Sequence, residues 1–121
     1  MKFAPGNMPD LTEDQIHRAV VARLRVSAKP GVLPWHTPND AKRSWGNISR
    51  LKAMGMVAGV PDLMIVHNGE IFGREIKARK GRVTPAQTEF QERLIAAGGY
   101  AMTGYGEDEC LSFLSNWGLL R

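Results

Sequence analysis

Several features that would place the protein in a specialised class are missing from its sequence. Its 121 residues contain a single cysteine, which excludes an internal disulfide and a cysteine-rich zinc site and favours a reducing, cytoplasmic environment. No apolar run approaches the roughly 18 residues of a membrane span. The first residues lack the apolar core of a secretory signal, so we expect no signal peptide. Without repeats or low-complexity tracts, the chain is expected to form one globular domain.

Residue sets typical of several enzyme classes are missing as well. The three histidines, at positions 17, 36 and 67, have no metal-ligand spacing, and the sequence contains no Ser/His/Asp or Cys/His set. A phosphate-binding glycine loop and a dinucleotide fingerprint are also missing. The net charge of +4 and the pI near 9.6 mildly favour a polyanionic partner such as nucleic acid.

Helix-start signals and apolar periodicity predict an α/β domain at residues 11–121 after a flexible tail at 1–10. Thr12 with Gln15 and Thr84 with Gln87 each have the spacing of a capping box. The expected elements are a helix after Thr12, an extended stretch at 31–36, a helix at 44–54, strands at 62–67 and 70–77, a helix after Thr84, a strand near 100–103 and a helix at 107–117. This order predicts a mixed sheet flanked by helices.

One predicted hairpin carries charge where a sheet favours apolar side chains. Residues 59–81 read GVPDLMIVHNGEIFGREIKARKG, and Asn68-Gly69 predicts a two-residue type I′ turn. That turn sets the register, in which Asp62 lies opposite Glu75. Because side chains alternate along a strand, Lys77 lies on the same face as Glu75. Paired residues have Cβ atoms about 4.5–5.5 Å apart, so two carboxylates would repel each other here.

Three interpretations of this pair follow from chemistry. The carboxylates can share a proton, or they can hold a divalent cation such as Mg²⁺, which prefers oxygen ligands. In the second case Lys77 would steady an attacking water or the charge on a phosphoryl group. The third interpretation is an ordinary surface salt bridge of Lys77 with Glu75 or Asp62 at exposed strand ends.

The same residues resemble a known signature. Pro61-Asp62, followed by Arg74 and Glu75-Ile76-Lys77, resembles the PD-(D/E)XK nuclease motif. The stretches GVPDLMIV, REIKARKGRVTPAQTEFQERLIAAGG and the terminal WGLL resemble the virus-type replication-repair nuclease (VRR-NUC) family of that superfamily. TEDQIHRAVVARLR and HTPN resemble its N-terminal part, so the likeness extends over roughly 110 residues of the chain.

The resemblance implies a restriction-endonuclease-like fold and a Mg²⁺- or Mn²⁺-dependent endodeoxyribonuclease. It implies that Asp62, Glu75 and the Ile76 carbonyl bind the metal, that Lys77 is the catalytic lysine, and that Gln87 and Glu13 belong to the catalytic site. It also implies a homodimer that acts on branched or junction DNA in replication, repair or recombination. A DNA-binding module that does not cleave is the alternative.

Two of these residues also have structural explanations. Gln87 fits the capping box of Thr84, and a side chain that reaches back to the cap is expected not to reach a metal site as well. Glu13 shares the apolar stripe of the first helix, so it is expected to point inward, either towards the site or as a charge that favours the helix N-terminus.

Basic and polar residues near the motif are candidates for DNA binding. Arg79, Lys80 and Arg82 form the densest cluster of positive charge, and their proximity to Lys77 favours phosphate contact over a purely solvated loop. The remaining candidates are His36 and Asn39 in the HTPN stretch, and Arg43 after it.

Overall fold

The computed structural model describes residues 10–38 and 45–121. The expected tail at residues 1–10 therefore lies outside the described residues except for Asp10, and so do Asn39 and Arg43. In chain order the described elements are α1 (Glu13–Ser27), β1 (Leu33–His36), α2 (Trp45–Ala53), β2 (Leu63–His67), β3 (Glu70–Lys77), α3 (Pro85–Ala96), β4 (Tyr100–Tyr105) and α4 (Glu107–Asn116).

The four strands form one mixed sheet in the order β1-β2-β3-β4. β2 pairs antiparallel with β1 and with β3, whereas β3 and β4 are parallel. A parallel pair needs a crossover connection, and α3 provides it here. The strand that carries Glu75 and Lys77 is therefore an interior strand with a neighbour on each side.

The first helix begins and packs as its sequence predicts. Thr12 Oγ1 accepts from the Gln15 N–H over 3.1 Å, and Gln15 Oε1 accepts from the Thr12 N–H over 2.9 Å. The apolar stripe of α1, formed by Ile16, Val20 and Leu24, is buried. Each fully buried side chain of this kind contributes about 1.5–3 kcal/mol. The stripe therefore holds α1 against the core, with its N-terminus close to the end of β3.

Alternate residues of β3 face opposite sides of the sheet. Phe72 and Ile76 belong to the apolar core, which also contains the buried residues of α1 and α4. Gly73 lies under α3, where an added Cβ would come within 3.0 Å of Leu94 Cδ2. Glu75 lies on the same side as Gly73, so it emerges beside the start of α3.

The predicted α/β class and the types of the described elements are confirmed, with small differences in the boundaries. β2 begins at Leu63 rather than at residue 62. β4 continues to Tyr105 because its parallel pairing with β3 extends as far as Lys77. Within residues 10–38 and 45–121, no helix is long and apolar enough to cross a membrane.

Candidate active site at the end of the hairpin

The hairpin register brings the two motif carboxyl groups together. Five pairs, from His67–Glu70 to Leu63–Arg74, match the predicted register without a bulge. The turn has Asn68 at φ 52° and Gly69 at φ 78°, as a type I′ turn requires. Asp62 lies just outside this ladder, and its Oδ2 accepts from the Ile76 N–H over 3.1 Å.

Glu75 is a buried acid with an unsatisfied oxygen. Its side chain is 1% exposed, and its Oε2 has no hydrogen-bond partner. Burial, together with the hydrogen bond and the charge of the adjacent Asp62 carboxyl, raises the pKa of Glu75 to about 9, while Lys77 opposes the shift. Without a cation, this carboxyl group therefore carries a proton near neutral pH. Ionising both the Asp62 and the Glu75 carboxyl groups would destabilise the folded protein unless the two groups share a proton or a nearby positive charge.

Gln87 takes part in both interactions that sequence reasoning treated as alternatives. Its Oε1 accepts from the Thr84 N–H over 2.8 Å, and its own N–H donates to Thr84 Oγ1 over 3.2 Å, which completes the capping box. Its Nε2 donates to Glu75 Oε1 over 3.1 Å. The expectation that capping excludes a contact with the site is wrong, because an amide carries an acceptor and a donor on separate atoms.

Lys77 and Glu13 lie together at the rim of the site. Lys77 Nζ is 3.8 Å from Glu13 Oε1, and Lys77 is only 8% exposed. The interpretation as an exposed surface salt bridge at the strand ends is therefore wrong, since both Glu75 and Lys77 are buried. The Glu13 side chain is 51% exposed, so it lies at the edge of the site rather than pointing inward.

The donor set fits a divalent cation that keeps part of its water shell. Among the described residues, no group of three or more His, Cys, Asp or Glu side chains could hold a metal ion on its own. Asp62 and Glu75 supply the oxygen ligands that Mg²⁺ prefers. Glu75 Oε2, which has no hydrogen-bond partner, is available to such an ion. The Ile76 carbonyl as a third ligand stays a prediction.

The basic segment after β3 is exposed next to this site. The Arg79 side chain is 70% exposed and its Nε lies 3.9 Å from Asp10 Oδ1, while Lys80 and Arg82 are also exposed. Water-exposed pairs of this kind contribute little to stability, so Arg79 can exchange its partner for a phosphate at low cost. Asn39 and Arg43 are outside the described residues, and their assignment stays a prediction.

A cleft of about 310 Å³ adjoins Asp62 and Glu13, and its lining includes His17, to which the sequence assigned no role. It is lined by Glu13, Asp14, His17, Arg18, His36 and Asp62. The rings of His17 and His36 meet edge to face, with centroids 4.6 Å apart. Burial lowers the pKa of His17, and His36 lowers it further. His17 follows Glu13 by one helical turn, a spacing that places both on one face and could have indicated it.

Arg74 is the second unforeseen feature, on the opposite side of β3. Its guanidinium is fully buried between the rings of Phe113 and Trp117, at 4.5 and 4.3 Å from their centroids. None of its three nitrogens has a hydrogen-bond partner among the described residues. Burial lowers the pKa of Arg74 to about 10, so it remains charged at neutral pH and is stabilised by the two rings.

Two solved structures are similar to this chain. One is named "VRR_NUC domain protein"; it superposes with a TM-score of 0.72 at 26% sequence identity, covering 91% of this chain and 90% of that chain. The other, named "VRR_NUC domain", has a TM-score of 0.59 at 17% identity, covering 88% and 99% respectively, and supports the fold alone. No protein-family model and no curated protein sequence matches the chain.

Proposed function

We propose that this protein is a divalent-metal-dependent endodeoxyribonuclease. Its structural similarity to a VRR_NUC domain protein supports a nuclease of that family. The observation that carries the proposal is the contact of two motif carboxyl groups, one of them buried with an unsatisfied oxygen, close to a buried lysine. A proton shared with Asp62 can satisfy this pair only while Glu75 is protonated, whereas a divalent cation would neutralise both carboxylates in their ionised forms.

Asp62 and Glu75 would hold the Mg²⁺ or Mn²⁺ ion, together with the Ile76 carbonyl, water and a phosphate oxygen of the substrate. When bound, the ion would lower the pKa of a coordinated water and stabilise charge on the phosphoryl oxygens. The Ile76 N–H holds the Asp62 carboxylate and the Gln87 amide holds Glu75. These two bonds orient the carboxylates in advance, so that less ordering is needed when the substrate binds.

Lys77 is placed to act on the reacting phosphate. It follows Glu75 by two residues on the same side of β3, and its ammonium group is held by Glu13 at the rim. There it would donate hydrogen bonds to the attacking water or to the phosphoryl oxygens. Burial of the aliphatic stem leaves the ammonium few orientations, which favours a fixed catalytic position over a mobile surface charge.

DNA is the proposed substrate, and Arg79, Lys80 and Arg82 would bind its phosphates. Their exposure next to Lys77 supports a path for the sugar-phosphate backbone that leads to the carboxylates. Such contacts position the strand without reading its sequence, so binding should weaken as salt concentration rises.

We further propose a homodimer that selects branched or junction DNA, because a single domain of 121 residues presents little surface to such a substrate. Light scattering tests the dimer directly, and a monomeric mass at micromolar concentration would contradict it.

The activity can be tested on fluorescent single-stranded, duplex, flap and four-way junction DNA with Mg²⁺, Mn²⁺ or EDTA. We expect metal-dependent cleavage that is lowered at least about 100-fold in Asp62→Asn, Glu75→Gln and Lys77→Met. Glu92→Gln and Lys29→Met replace exposed residues outside the motif and serve as matched controls for Glu75→Gln and Lys77→Met.

Two results would contradict the proposal. The first is cleavage that persists in EDTA or in the three variants at the wild-type rate. The second is salt-sensitive DNA binding without product under every metal condition, which would favour a module that binds DNA without cleaving it.

A further inference from the structure

The main-chain carbonyl of Asp62 accepts two hydrogen bonds from the end of β1. His36 Nδ1 lies 3.0 Å from this oxygen, and the Thr37 N–H donates to it over 2.9 Å. On the other side, the Asp62 carboxylate accepts from Ile76 in β3. Asp62 is therefore held between two strands that are not adjacent in the sheet, although it lies just before β2 begins.

The partner of His36 determines which ring nitrogen carries the proton. A carbonyl oxygen can only accept, so the hydrogen must lie on Nδ1 of His36. Nε2 is then left for another partner or for water. The two nitrogens of His36 consequently have different possible roles, one towards Asp62 and one towards the cleft.

The orientation of the His36 ring is supported by α1. His17 meets it edge to face at an interplanar angle of 76°. His17 is only partly exposed, so its ring forms a wall of the cleft and limits rotation of the His36 ring. The contact ties the helix that carries Glu13 to the strand end that holds Asp62.

We infer that His36 is a positioning residue for Asp62, which sets the direction of its metal-binding carboxylate through the Nδ1–carbonyl hydrogen bond. This inference rests on the proposed function, since it takes Asp62 as a metal ligand. It differs from the expectation that His36 binds DNA, which would use the outward Nε2. Partners that orient a metal ligand commonly contribute 10- to 100-fold to metal affinity or activity, on the order of what is expected here.

Two amide variants separate the roles of the two nitrogens. The side-chain nitrogen of asparagine can occupy the place of His Nδ1, whereas that of glutamine reaches the place of Nε2. We expect His36→Asn to retain Mn²⁺ affinity, measured by calorimetry, and kcat within about threefold of wild type, and His36→Gln to lower both about 10-fold. KM for DNA should change little in either variant if Nδ1 carries the role.

Rescue by glutamine together with a raised KM in His36→Asn would overturn the inference and favour DNA contact. Equal losses in the two variants, or no loss in either, would overturn it as well. A wild-type protein that neither binds Mn²⁺ nor cleaves DNA contradicts the proposed function itself, so the two failures are distinguishable.

A spectroscopic measurement on the wild type does not depend on the folding of any variant. Nitrogen-15 spectra of the histidine rings at pH 8 report which ring nitrogen is protonated. We expect the Nδ1–H form for His36, with slow exchange of the Thr37 amide hydrogen. The Nε2–H form would overturn the inference.

Discussion

Gln87 Nε2 donates to Glu75 Oε1 over 3.1 Å, while Gln87 Oε1 accepts from the backbone N–H of Thr84, the N-cap of α3. The start of α3 and the position of Glu75 are therefore coupled through one side chain. A helix cap normally satisfies only the helix end. Here the cap also occupies one oxygen of a buried acid and leaves the other, Oε2, free.

The two functions of Gln87 can be separated by substitution. Gln87→Glu keeps an acceptor for the Thr84 N–H but turns the donor towards Glu75 into an acceptor, so Glu75 loses the bond that orients it and we expect cleavage to fall about 10- to 100-fold. Thr84→Ala removes the other half of the capping box and should lower the unfolding free energy by about 1 kcal/mol with nearly normal cleavage. Equal losses of activity in both variants would show that Gln87 acts only through the helix.

The raised pKa of Glu75 predicts a pH-dependent stability of the metal-free protein. Its pKa rises from 4.5 to about 9 on folding, mainly through burial, so the folded state binds this proton more tightly than the unfolded chain. The resulting stabilisation is complete below about pH 4.5 and is lost as the pH rises through 9. We expect the melting temperature in EDTA to fall between pH 5 and 9, and to fall less steeply in Glu75→Gln.

Glu92→Gln, which replaces an exposed glutamate of α3, is the control for this experiment. It should follow the wild-type profile at every pH. Parallel profiles for wild type and Glu75→Gln, recorded by calorimetry in the same buffers, would contradict the assignment of the effect to Glu75.

Gly59 brings the chain before Asp62 against the start of α3. Its φ is +83°, and an added Cβ would lie 2.1 Å from the Ala86 carbonyl oxygen and 2.8 Å from the Gln87 nitrogen. We expect Gly59→Ala to cost more than about 3 kcal/mol, since backbone strain alone accounts for about 1–3 kcal/mol. Gly55 also has a positive φ, +103°, but an added Cβ there would meet no atom within 4 Å. Gly55→Ala should therefore lower the unfolding free energy only by the backbone strain.

Denaturant unfolding of the two glycine variants gives the steric contribution as the difference between their unfolding free energies. A difference close to zero would mean that the chain at Gly59 moves away from α3 without cost. In that case cleavage by Gly59→Ala should remain normal, because the position of Gln87 would be unaffected.

Arg74 predicts an unusual response to loss of charge. A buried cation without hydrogen bonds costs desolvation energy that the faces of Phe113 and Trp117 offset only in part. We expect Arg74→Met, which keeps most of the volume, to be neutral or stabilising in urea unfolding. Arg74→Ala should lose about 2–5 kcal/mol, because it leaves a cavity between the rings. A larger loss in Arg74→Met than in Arg74→Ala would contradict this explanation.

The local part of this architecture could be predicted from the sequence. Asn68-Gly69 determines the hairpin register because only a few residue types adopt positive φ at both turn positions. The capping boxes at Thr12 and Thr84 determine where two helices begin, since their bonds join residues three apart. These signals were sufficient for the fold class and for the juxtaposition of Asp62 and Glu75.

The tertiary structure alone decided how that pair is completed. The bonds from Gln87 to Glu75, from His36 to the Asp62 carbonyl and from Lys77 to Glu13 join residues that are far apart in the chain. Their formation depends on how α1, α3 and β1 pack against the sheet, which apolar periodicity does not specify to within hydrogen-bond distance. The sequence by itself therefore determined which groups are the candidates for the chemistry, and packing decided their burial, their partners and the raised pKa of Glu75.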